Sequence, residues 1–189
     1  TEADLAVEAA IRERLAIERP DDAMLGEEHG ETGTGTRRWI VDPIDGTRNY
    51  SRGIPVWATL IALEVDGVAQ LGVVSAPALG RRWWAERGGG AHVDGDRVRV
   101  SAVRRIEDAV LSLALEHPLP SLAAQAWHAR GYGDFWAHML VAEGAIDGAI
   151  DAIRARIEAT GRPEVLHYDY ARLYWDRGAV RNVKADLLR

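Results

Sequence analysis

Trp39-Ile40-Val41-Asp42-Pro43-Ile44-Asp45-Gly46-Thr47 is the stretch that decides how this chain reads. Its first three residues are β-prone, and they run straight into a segment where proline and glycine forbid continuation of a strand. Two carboxylates, Asp42 and Asp45, therefore sit at a strand's end with Pro43 between them. A proline turn can aim both at one point. Such a pair of hard oxygen donors suits Mg²⁺, which keeps several waters and is held by a few carboxylates plus a substrate phosphate. Upstream, Glu27 offers another oxygen. Directly after Asp45, Gly46-Thr47 supplies an exposed backbone N–H, a hydroxyl and the start of a helix, an arrangement that receives phosphate. In isolation D-P-x-D-G is also an ordinary turn sequence, because Asp, Pro and Gly all favour turns. The flanking residues have to separate the two readings.

Outward from this stretch the chain reads as α+β. Apolar residues from Asp4 to Ile17 recur at helical spacing between charges, and Pro20 closes that helix. Met24-Leu25 leads into the acidic turn Gly26-Glu27-Glu28-His29-Gly30, and Thr32 to Thr36 is a Thr/Gly loop. Val56–Leu63 and Val68–Val74 flank Asp66-Gly67 as a hairpin, and Asp94-Gly95 marks a second one served by 82–86, 91–93 and 97–100. Ile106 to Leu115 is a further apolar run with strand character. Helices return later: Ser121 caps one through Trp127, and Asp134 either caps another that carries Met139, Leu140 and Val141 or touches substrate. Ile150, Ile153 and Ile157 again have helical spacing. No repeat or low-complexity linker interrupts the 189 residues.

Composition removes several function classes. The 23 Lys and Arg against 29 Asp and Glu leave a net charge of −6, which opposes sequence-independent binding to nucleic acid. With no cysteine, a disulfide framework, a thiolate nucleophile and a Cys-based zinc site are all excluded. No apolar run approaches the ~20 residues that span a bilayer, and the acidic Thr1-Glu2-Ala3-Asp4 is unlike the basic start of a signal peptide. The expectation is a soluble, unprocessed protein of the cytoplasm.

Gly26-Glu27-Glu28 followed by Trp39 to Tyr50 resembles the two upstream signatures of the inositol monophosphatase family of Mg²⁺-dependent, lithium-sensitive phosphatases. Val56–Leu63, Arg81–Ala91 and Gly131-Tyr132-Gly133-Asp134-Phe135-Trp136-Ala137-His138 are similar to its bacterial histidinol-phosphatase branch, and the resemblance covers roughly residues 1 to 148. It implies a layered α/β/α/β/α sugar-phosphatase fold with a mixed, largely antiparallel sheet, here in reduced form. As one domain over 1–189, it would place the metal and phosphate site in residues 1–115 and the substrate half, with an atypical end, in 116–189. Residue by residue it implies that Glu27, Asp42, the Ile44 carbonyl and Asp45 bind Mg²⁺. Gly46 and Thr47 would bind phosphate, Thr47 would orient the attacking water, and Asp134 would contact substrate. The implied activity is hydrolysis of a small-molecule phosphomonoester, L-histidinol phosphate first and an inositol or sugar phosphate second. A homodimer without nucleic-acid or membrane partners follows from the same resemblance. A non-catalytic protein that keeps the fold is the rival of a different class.

Departures from the family pattern set two further expectations. Relatives pair the threonine that matches Thr47 with an aspartate in a loop ahead of the segment matching Thr1-Glu2-Ala3-Asp4, so Thr47 is expected to lack that partner here. Trp175-Asp176-Arg177-Gly178-Ala179 fits the family's W-D-x-x-A signature, which makes Asp176 the distal metal ligand, the alternative being a surface turn with Trp175 packed on the core. Residues 149–189 otherwise look unlike the family, as a shortened or redesigned version would.

Overall fold

A computed structural model describes residues 1–113 and 123–150. Helix α1 spans Glu2–Glu18 and is followed by β1 (Ala23–Gly26), β2 (Gly30–Thr32) and β3 (Arg37–Asp45). A short helix α2 (Thr47–Ser51) leads to β4 (Ala58–Val65), β5 (Val68–Ala76), β6 (Arg81–Glu86), β7 (Gly90–Val93) and β8 (Asp96–Val98). Strands β9 (Val110–Leu113), β10 (His128–Arg130) and β11 (Gly148–Ile150) come last, with helix α3 (Asp134–Ala142) between the final two.

Strands β1 to β8 form one sheet in the order β2-β1-β3-β4-β5-β6-β7-β8, and β10-β9-β11 form a second. Only β1 and β3 run parallel in the large sheet, whereas both pairings of the small sheet are parallel. The hairpin turns have the conformations their sequences demand: Asp66 and Gly67 take φ of 50° and 74°, and Asp94 and Gly95 take 51° and 99°. Two successive positive φ values match the twist of the flanking strands. One face of the large sheet, carrying Ile40, Leu60, Ala62, Val74, Trp83 and Val93, packs against Phe135 and Met139 of α3. Trp83 meets Phe135 edge-on with ring centroids 6.2 Å apart, and its indole N–H donates to Glu143 at 2.7 Å. Helix α3 also lies on β11, so it is the layer between the two sheets. This is the layered α+β arrangement expected from the sequence.

Several expectations are corrected. Strand β3 does not stop at Pro43 but continues to Asp45. From Asp42 opposite Leu60 to Asp45 opposite Ala58, β3 advances three residues while β4 advances two, which is a β-bulge. The bulge takes the proline, which has no N–H to give, out of the ladder. Helix α1 has the expected length; its fully buried residues are Asp4 and Glu8, with Val7, Ile11 and Leu15 half-buried beside them, while Leu5 and Ile17 are 43% and 72% exposed. Asp134 opens α3 without a side-chain cap; Gly133 is the cap residue and Asp134 itself has φ of 46°. Ile150 ends a strand rather than starting a helix, and Ser121, Ile153, Ile157 and Asp176 fall outside the described residues.

Candidate metal and phosphate site

The site forms where β1 and β3 end side by side. Gly26 is in register with Val41, and the Glu27 N–H donates to the Val41 carbonyl at 3.2 Å. This bond places Glu27 beside Asp42 on the neighbouring strand. Glu27 is exposed, Asp42 is buried, and Asp45 is 2% exposed. Burial of a carboxylate is costly unless donors or a cation face it. Asp45 has such a donor, since its Oδ2 accepts the backbone N–H of Phe135 in the first turn of α3, where the helix dipole favours negative charge.

The turn after Asp45 can only be made by glycine. Gly46 has φ of 87°, and a Cβ there would stand 2.9 Å from the Val56 carbonyl oxygen and 3.5 Å from Asp134 Oδ2. Both the left-handed conformation and the close approach exclude a side chain. Thr47, the next residue, starts α2, and its hydroxyl donates to the Ile44 carbonyl at 2.9 Å. Asp4 Oδ1 lies 3.4 Å from the same hydroxyl. A hydroxyl has one proton, so it donates to one of these acceptors at a time. The expectation that Thr47 lacks a carboxylate partner is therefore corrected: α1 brings Asp4 to it. The signal was present, because Asp4 and Glu8 share one face of α1 four residues apart.

Asn49 ties the turn to α3. Its Nδ2 donates to the Val56 carbonyl at 2.8 Å and to Asp134 Oδ2 at 3.3 Å. Gly46, Thr47, Asn49 and Asp134 are thus gathered around one turn. Asn49, Glu8 and the Phe135 N–H were not singled out from sequence, although Asn49 stands inside the motif itself.

The donor set consists of carboxylates and one carbonyl, with no sulfur, and this chemistry fits a hard divalent cation. Among the described residues no three His, Asp or Glu side chains converge to make a closed cage, so Glu27, Asp42 and Asp45 do not complete one by themselves. Two carboxylates and a carbonyl with remaining positions for water and phosphate is the usual manner of holding Mg²⁺. The Ile44 oxygen keeps a lone pair beyond the one that Thr47 uses. Arg81 is engaged with Asp94 and Glu143 and lies over Trp83.

Comparison with known proteins follows the same lines. The chain is 51% identical over 166 residues to the histidinol-phosphatase of Mycobacterium tuberculosis, covering 80% of this chain and 64% of that protein. The crystal structure of the extragenic suppressor protein suhB from Bartonella henselae superposes with a TM-score of 0.73 at 37% identity, over 78% of this chain and 65% of that one. A Ca-bound IMPase family protein from Staphylococcus aureus superposes with a TM-score of 0.74 at 25% identity, over 80% and 61% of the two chains. The chain spans 62–64% of the length of the first curated histidinol-phosphatases it matches. No helix among the described residues is long and apolar enough to cross a membrane. Since the sequence model of the inositol monophosphatase family matches residues 1–154 of the 189, the chain belongs to that family.

Proposed function

We propose that this chain hydrolyses a phosphomonoester in a Mg²⁺-dependent reaction, and that the substrate is L-histidinol phosphate. One observation carries the reaction class: the bulge at Pro43 ends β3 with Asp42, the Ile44 carbonyl and Asp45 directly against the Gly46-Thr47 turn. The identity of 51% to a histidinol-phosphatase supports the choice of substrate. Glu27, Asp42, the Ile44 carbonyl and Asp45 hold the cation, and Asp176 is its distal ligand. When bound, Mg²⁺ lowers the pKa of a coordinated water and offsets charge on the phosphoryl oxygens. Gly46 and Thr47 receive the phosphate. The Thr47 hydroxyl orients the attacking water while Asp4 accepts the hydroxyl proton. Asp134, steadied by Asn49, faces the alcohol part of the substrate. A homodimer in the cytoplasm completes the proposal.

The test is phosphate release by the full chain from a panel of histidinol phosphate, inositol 1-phosphate and sugar phosphates, with and without Mg²⁺. Release from histidinol phosphate alone, and only with Mg²⁺, is the expected result. Preference for inositol 1-phosphate would transfer the assignment to the second substrate class. Absence of release from every ester would leave the non-catalytic reading standing.

A further inference from the structure

We infer that Glu8 is a positioning residue that sets Glu27 for the cation, acting through the turn between β1 and β2; the inference rests on the reading of Glu27 as a metal ligand. Glu8 is fully buried on α1, whereas its apolar neighbours Val7 and Ile11 are only half-buried. Its carboxylate is met on every side by donors. Oε2 accepts the Glu28 N–H at 2.7 Å, and Oε1 accepts the His29 N–H at 3.1 Å with the His29 ring Nδ1 also at 3.1 Å. Arg12, one turn further along α1, donates to Oε1 from Nε at 3.1 Å and Nη2 at 2.8 Å. The same guanidinium reaches the far side of the turn, donating to the Gly30 carbonyl at 2.5 Å and the Thr32 hydroxyl at 2.7 Å.

Glu27 is therefore fixed by backbone bonds on both sides. Its own N–H is held by Val41 of β3, and the peptide that follows it is held by Glu8. Two anchored peptide planes leave little freedom in the Glu27 Cα–Cβ direction, at the strand end that lies beside Asp42. Gly26 supplies an independent observation. Its backbone is not in the left-handed region, so turn geometry does not require a glycine there. A Cβ at Gly26 would stand 2.0 Å from Glu8 Oε1. The glycine before Glu27 is thus the space in which the Glu8 carboxylate sits, and the G-E-E segment and the buried acid of α1 form one device.

Replacement of a group that orients a metal ligand typically weakens metal affinity about 10–100-fold. Calorimetric titration of the full chain with Mg²⁺ alone, at a temperature where each protein is folded, should show such a weakening in Glu8→Gln. Hydrogen exchange of the Glu28 and His29 amides in the metal-free protein should rise with it. Phosphate release at saturating Mg²⁺ should stay within about threefold of the parent's, since excess cation draws Glu27 back into place. Gly26→Ala, which keeps every charge but displaces the Glu8 carboxylate, should reproduce both changes, and it decides the matter if Glu8→Gln does not fold. A lower melting temperature with unchanged Mg²⁺ affinity would overturn the inference while leaving the proposed function intact. A parent chain that binds no Mg²⁺ would overturn both.

Discussion

The carboxylate of Asp45 accepts a hydrogen bond from the backbone N–H of Phe135, a residue 90 positions further along the chain. One side chain of the site therefore also fastens α3, and through it the small sheet, to the end of β3.

This double duty shapes the outcome of Asp45→Asn. The amide oxygen can still accept from Phe135, but a neutral acceptor replaces a charged one, so about 1 kcal/mol of stability should be lost. Loss of a ligand charge should lower Mg²⁺-dependent phosphate release by more than the ~100-fold upper range of an outer-shell change. Thermal unfolding and release assays on the same preparation measure the two effects. Turnover equal to the parent's would remove Asp45 from the site.

Thr47 and Asp4 should behave as a unit. With 3.4 Å between hydroxyl and carboxylate, Thr47→Ala and Asp4→Asn each break the same link. Their combined loss in kcat/KM should be clearly smaller than the product of the single losses, because neighbours within one network are not additive. A fully multiplicative cycle would show that the two act separately.

Acid should loosen α1 before the rest. Burial alone would push the Glu8 carboxyl up, but the Glu28 N–H, the Arg12 guanidinium and His29 together hold it below the usual 4.5. A carboxyl lowered in the folded state contributes its full stability above the unfolded value and loses it as pH falls through the lowered one. The melting temperature should therefore be flat in this contribution above about pH 5 and fall below pH 4.5, with a shallower fall in Glu8→Gln. Circular dichroism melts at several pH values give the slopes, and parallel slopes would exclude Glu8 as the cause.

The two adjacent tryptophans should differ sharply. Trp83 is wholly buried against Phe135 and bonded to Glu143, so Trp83→Ala should cost about 3–5 kcal/mol in denaturant unfolding. Trp84 points to the other face, partly exposed and stacked on His92 at 4.1 Å. Trp84→Ala should cost less than about 1.5 kcal/mol, since a paired exposed ring contributes little beyond its covered area. Equal costs would mean that the second face is also closed off.

Much of this was legible in the residues. Asp66-Gly67 and Asp94-Gly95 fixed two hairpins because their turn type needs residues that tolerate positive φ, a requirement local to the dipeptide. The pairing of Asp42 and Asp45 with the Gly46-Thr47 turn was readable for the same reason. Pro43 misled because a proline is read as a strand terminator, and only the register between β3 and β4 reveals the bulge that accommodates it. The helical spacing of α1 was legible, but that Asp4 and Glu8 are its most buried residues was not, because the donors that meet Glu8 lie on a turn some 20 positions away. Asp134 was read as a cap or a substrate contact from its type; its link to Asn49 depends on a contact across 85 positions that no local pattern encodes.

A helix whose most buried residues are two bonded carboxylates cannot creep freely along its own axis. Apolar ridges tolerate sliding, and one-turn ratchets between packed elements are a known switching device. Asp4 and Glu8 lie one turn apart, so a shift of α1 by one turn would carry Glu8 to the Thr47 hydroxyl and leave Arg12 facing the Glu28 and His29 N–H groups, donor against donor. The charge order along α1 works like a key cut for a single depth. Control of this protein through an axial step of its first helix is thereby closed to evolution unless the order of those side chains is rewritten.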